Sequence, residues 1–122
     1  MTAHQQQLLL QGIDLFNNRK FFECHETLEE AWLESTGGDK TFLQGLIQVA
    51  VALHHLGNQN RVGARRLLVA GIEKLSSFSP QHVSVDVVCL LEDLEPLRKT
   101  LTDGGEPGDW RPPGIRVAPP FP

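Results

Sequence analysis

An all-α fold, a compact bundle of about five helices followed by an extended Pro/Gly-rich C-terminal tail, is what the sequence predicts. Two observations carry this reading. Apolar residues recur at helical spacing through successive segments up to Asp103, and no pair of alternating strands is visible anywhere. Beyond Asp103, Gly104, Gly105, Pro107, Gly108, Pro112, Pro113, Gly114, Pro119, Pro120 and Pro122 exclude a regular helix. Residues 1–103 therefore read as one bundle domain and 104–122 as its tail, which suits a chain of 122 residues with a single core.

The first helix runs from about Ala3 to Asn18, with Leu8, Leu9, Gly12, Leu15 and Phe16 in register and the Asn17-Asn18 pair as its stop. The second covers Phe21 to about Ser35. Its apolar side carries Phe21, Cys24, Leu28, Ala31 and Trp32, its other side Glu23, Glu26, Glu30 and Glu34, and Gly37 and Gly38 end it. The third starts at Asp39 or Thr41 and continues to Gly57; being apolar around most of its circumference, it belongs at the centre. After a turn at Asn58 to Asn60, Ala64, Leu67, Leu68, Gly71, Leu75 and Phe78 trace a fourth, antiparallel to the third. Ser79-Pro80 breaks the chain, Ser84 or Asp86 caps a fifth helix through Val87, Leu90, Leu94, Leu97 and Leu101, and Pro96 kinks or divides it. In the tail, Trp110, Ile115, Val117 and Phe121 give apolar points that can fold back over the bundle, while Pro119 to Pro122 has the spacing of a proline-rich ligand.

Composition narrows the function classes. Apolar residues make up 40% and charged residues 21%, which is globular, and a net charge of -4 disfavours duplex nucleic acid; Arg61, Arg65 and Arg66, the one basic cluster, read as a solvated helix flank. The uncharged stretch from Thr41 to Asn60 contains Gln44, Gln48, His54 and His55, which argues for a central helix and against a membrane span. Cys24 and Cys89 have neither finger nor redox spacing and read as core thiols. With no basic region ahead of an apolar run at the N-terminus, a cytoplasmic protein is expected.

Projection at about 100° per residue places His25 and Glu29 beside Trp32 on the second helix. The same projection gathers Gln44, Gln48 and His55 into one polar stripe on the third. Unpaired buried polar groups are costly, so the two strips are expected to meet across the helix interface, with His25, Glu29, Gln48 and His55 as a network. Such a network either fixes helix register or lines a groove for a small molecule or a protein. His25-Glu26-x-x-Glu29 also resembles a zinc-protease helix that lacks its second histidine; His25, Glu29 and His55 could then hold a divalent metal with Glu26 as general base, the hydrolase alternative. No cofactor is otherwise called for, Glu-x-x-His pairs for a di-iron bundle are absent, and a structural homodimer that buries an exposed apolar stripe is the third reading.

Phe21-Phe22-Glu23-Cys24-His25-Glu26-Thr27-Leu28-Glu29-Glu30-Ala31-Trp32, followed by Gln44-Gly45-Leu46-Ile47-Gln48 through His54-His55 and by Asn60-x-x-Gly63-Ala64, closely resembles the family catalogued as domain of unknown function 309. Ser79-Pro80-Gln81-His82 with Ser84-Val85-Asp86 is similar to its closing motif, with Ser84 standing where the family pattern leads us to expect glycine. The resemblance spans roughly Ile13 to Leu94. It implies a compact helical domain of bacteria and archaea, with His25, Glu29, Trp32, Gln48 and His55 as family residues, and no known activity.

Overall fold

The computed structural model describes residues 1–108, 110 and 113–118, and among them five α-helices carry the fold: α1 (Ala3–Asn17), α2 (Phe21–Leu33), α3 (Gly37–Gly57), α4 (Arg61–Ser76) and α5 (Val87–Thr102). Helix α3 packs against both α2 and α4, α1 lies on α2, and α5 on α4. The central place of α3 follows from its sequence: Phe42, Leu43, Leu46, Val49, Ala50, Ala52, Leu53 and Leu56 are buried around most of its girth. None of the described helices is long and apolar enough to cross a membrane.

Local chemistry sets the helix ends. The Thr2 hydroxyl accepts from the Gln5 amide while the Gln5 side chain accepts from the Thr2 amide, a reciprocal cap on α1. Asn60 accepts from the Gly63 amide to start α4, and Asp86, not Ser84, accepts from the Cys89 amide to start α5. Pro96 neither divides nor ends α5, which runs unbroken past it. The expectation that Gly37 and Gly38 close the second helix is corrected. Helix α2 ends at Leu33, and both glycines form the opening turn of α3, with Gly37 at φ 61 reversing the chain between the two helices.

A second correction concerns strands, of which none was expected. Gln81–His82 (β1) and Val85–Asp86 (β2) form a two-residue antiparallel hairpin, and the tail adds a third rung through a bridge between Val85 and Val117. Asp86 N–H donates to the Arg116 carbonyl and Ala118 N–H to that of Ser84. Further back, the Asn17 side chain donates to the Ile115 carbonyl at 3.0 Å and accepts from the Ile115 amide at 2.7 Å, leaving Ile115 buried. This part of the tail therefore folds onto the bundle. Phe121 and the Pro119 to Pro122 spacing lie outside the described residues. The basic cluster does not act as a unit: Arg61 pairs with Glu106 at 2.7 Å, while Arg65 and Arg66 are exposed.

The hairpin turn holds Val83 at φ 41 and Ser84 at φ 66, both in the left-handed region that a two-residue turn of this kind demands and glycine occupies without strain. A left-handed non-glycine residue carries about 1–2 kcal/mol of strain, and glycine gives back about 0.5–1 kcal/mol in unfolded-chain entropy. Ser84→Gly is accordingly expected to raise stability by about 0.5 kcal/mol in urea unfolding, with an unchanged m-value. A loss on substitution would show that the Ser84 side chain contributes something the strain argument omits.

Candidate functional site

Helices α2 and α3 run antiparallel on the side of the bundle that no other described helix covers, and the two polar strips meet there. Glu29 and Trp32 from α2 face Gln44, Ile47 and Gln48 from α3 across a groove of about 280 Å³. The spacing explains the grouping, since Glu29 and Trp32 are three residues apart and Gln44 and Gln48 four, so each pair lies along one helix face. The groove is open to solvent instead of sealed in the core: Trp32, Gln44 and Gln48 are half-buried and Glu29 is exposed. The physical reason is that α1 and α4 pack on other faces of α2 and α3 and leave this seam free.

His25 joins the site through Glu29. Its Nε2 stands 3.3 Å from Glu29 Oε2, one helical turn away, and its Nδ1 lies 3.0 Å from the Phe22 carbonyl, a geometry that puts the proton on Nδ1 when the ring is neutral. The predicted network does not close beyond that pair. His55 is not among the groove residues; its Nδ1 lies 3.5 Å from Asn60 Nδ2, at the α3–α4 turn. The neighbouring His54 is the histidine that reaches α2, its ring 5.3 Å from that of Phe22 and its Nε2 3.2 Å from Asn58 Nδ2. Among the described residues no three His, Cys, Asp or Glu side chains are grouped to hold a metal ion, so His25 and Glu29 make a pair without a third ligand.

Two atoms of the groove residues stand out. Trp32 Nε1, a donor, and Gln48 Oε1, an acceptor, are each withdrawn from solvent with no hydrogen-bond partner among the described residues, and they do not bond to one another. Lys40 Nζ lies over the indole of Trp32 at 4.2 Å from the ring centre. Sequence reading missed Lys40, Ile47, His54 and the ring of Phe22. Of these, Phe22 and Ile47 left a usable signal, being apolar residues next to a polar strip.

A second concavity of about 540 Å³ lies at the α1–α2 turn, with Arg19, Lys20, Phe22, His54 and Trp110 among its lining residues. It takes in none of the predicted site residues.

The family model described as Domain of unknown function (DUF309) matches residues 9–67, which bears out the resemblance read from the sequence over that segment. The match takes in all of α2 and α3, and with them every residue that lines the α2–α3 groove. An Uncharacterized protein YpuF of Bacillus subtilis (strain 168) is 42% identical over 75 residues, 61% of this chain and 41% of that protein. The chain thus spans well under two thirds of that relative's length. Neither description names an activity.

Proposed function

We propose that this chain is a binding module that uses the α2–α3 groove to hold a ligand by hydrogen bonds and carries out no chemistry on it. The observation that supports the reading is the pair of orphaned atoms, Trp32 Nε1 and Gln48 Oε1, in residues of one groove. A buried polar group without a partner costs about 1–3 kcal/mol, so a pair that only fixed helix register would be expected to bond internally. A ligand that offers one acceptor and one donor satisfies both. Water does not reach either atom in this arrangement, so binding requires flexible neighbours such as Gln44, Glu29 and Lys40 to change rotamer.

Gln48→Met tests the reading, because it keeps the size of the side chain and removes the orphaned acceptor. Stability in urea unfolding is expected to hold or to rise by about 1 kcal/mol, since nothing internal is lost. In the same variant, perturbation of the Trp32 indole N–H by a small neutral amide such as N-acetylglycine methylamide, followed by NMR, is expected to disappear. A fall in stability above about 2 kcal/mol would instead make Gln48 part of the scaffold and remove the support for a binding groove.

A further inference from the structure

Resting on the binding function proposed above, we infer that the occupant of the α2–α3 groove is an extended segment of another protein, basic at its centre and apolar at its ends. Three features of the surface select it. The first is the orphaned pair. An extended peptide presents free carbonyl and N–H groups along its backbone, whereas a helix has already committed them internally. A carbonyl for Trp32 Nε1 and an N–H for Gln48 Oε1 are thus what such a segment supplies.

The second feature is charge. Glu29 is the carboxylate that lines the groove; Glu26, exposed, lies about 60° from it around α2, and the exposed Glu30 lies on the side away from Trp32. Helix α2 contains no lysine or arginine, and His25 balances Glu29 only when its ring carries both protons. From α3 the lining is uncharged, Gln44, Ile47 and Gln48; Lys40 keeps its charge over the Trp32 ring and is outnumbered by the four glutamates of α2, Glu23, Glu26, Glu29 and Glu30. A field of this sign attracts a Lys- or Arg-bearing segment and repels an acidic one.

The third feature is length. Phe22 and Leu33 are among the exposed large apolar residues of the chain, at 47% and 65% exposure, and they project to the same face of α2 as Glu29, at its two ends, with Phe22 also lining the second concavity. Leu33 follows Phe22 by eleven positions, about 16 Å along the helix at 1.5 Å per residue, which an extended chain covers in about five residues. Apolar anchors at both ends of a short basic stretch match that layout.

The experiment uses the 122-residue chain carrying Trp110→Phe, so that the one remaining indole N–H signal belongs to Trp32. Two acetylated, amidated hexapeptides are titrated and followed by NMR: Leu-Ala-Arg-Lys-Ala-Leu and its acidic counterpart Leu-Ala-Glu-Glu-Ala-Leu. The basic peptide is expected to shift the Trp32 indole and Gln48 amide signals and to bind at least about tenfold more tightly than the acidic one. Glu26→Gln with Glu29→Gln, a change on the exposed side of α2, is expected to weaken it about tenfold, and added salt to weaken it further. If both peptides move the indole signal equally, or the double substitution changes nothing, the basic partner is wrong while the groove remains a binding site. If neither peptide moves the signal but N-acetylglycine methylamide does, the occupant is a small molecule and the inference falls. If the signal instead shifts with protein concentration alone, the groove is filled by a second copy of this chain, which also overturns it.

Discussion

Replacing Gly71 with alanine lowers stability by about 2–3 kcal/mol, although alanine is the better helix former by nearly 1 kcal/mol. The reason lies in how closely α3 and α4 approach. A Cβ built at Gly71 would stand 2.9 Å from the Gly45 carbonyl oxygen, 2.9 Å from Val49 Cγ2 and 3.2 Å from the Val49 backbone nitrogen. Two of those three atoms are main chain of α3, so no rotamer change relieves the clash and the helices must separate. Gly45→Ala is expected to cost less, because its two shortest contacts, Leu75 Cγ at 2.9 Å and Cδ2 at 3.0 Å, belong to a side chain that can change rotamer, and Lys74 Cβ, fixed to its backbone, stands further off at 3.3 Å. Gly57→Ala is the control: it has nothing within 4 Å and should be neutral or slightly stabilising. Urea unfolding of the three variants gives the ranking, and a Gly71→Ala protein as stable as Gly57→Ala would show that the α3–α4 contact is looser than described. The result matters for the groove because Gly45 sits next to Gln44, so a shift of α3 moves one wall of it.

The helices were legible in the sequence because each is amphipathic over several turns, and α3, apolar nearly all round, could only be central. What escaped notice was non-local or too short to have a period. Strands of two residues show no alternation, and the third rung at Val117 comes from the far end of the chain. The turn between them is Val83-Ser84, which lacks the Asn-Gly signature of a left-handed pair, although the noted absence of glycine at 84 pointed to the position that carries φ 66. Gly37 misled for a related reason: the left-handed φ was rightly associated with glycine, but it opens α3 instead of closing α2.

The same division holds at the groove. That Glu29, Trp32, Gln44 and Gln48 face one another followed from projecting two helices about 100° per residue and setting the polar strips together. Projection treats each helix as a straight cylinder and says nothing of the crossing angle between them. Near the end of α3 the neighbour of α2 is therefore His54 and not His55, which the polar stripe had favoured. Nor could projection distinguish a core network from an open seam, since that depends on which faces α1 and α4 take.

Raising the pH from 8 to 10.5 narrows the stability difference between the wild-type protein and Cys24→Ala by about 2 kcal/mol. Cys24 is fully buried on α2, and burial pushes its thiol up from 9.0 to about 12, against a smaller opposing effect of a backbone hydrogen bond at Phe16. In the unfolded chain the thiol ionises near its ordinary value, so above about pH 9 the unfolded state binds fewer protons than the folded one. The stabilisation is therefore complete below that value and is lost as pH rises towards 12, by about 1.4 kcal/mol per pH unit. The alanine variant loses the packing of the sulfur but is free of this penalty, so its deficit at neutral pH shrinks in alkali. The chain contains no tyrosine, and the half-buried Cys89 and all lysines are common to both proteins, so their titration cancels in the comparison. Urea unfolding in reducing buffer at the two pH values measures the effect, and a difference that does not change with pH would mean that Cys24 reaches water in the folded protein.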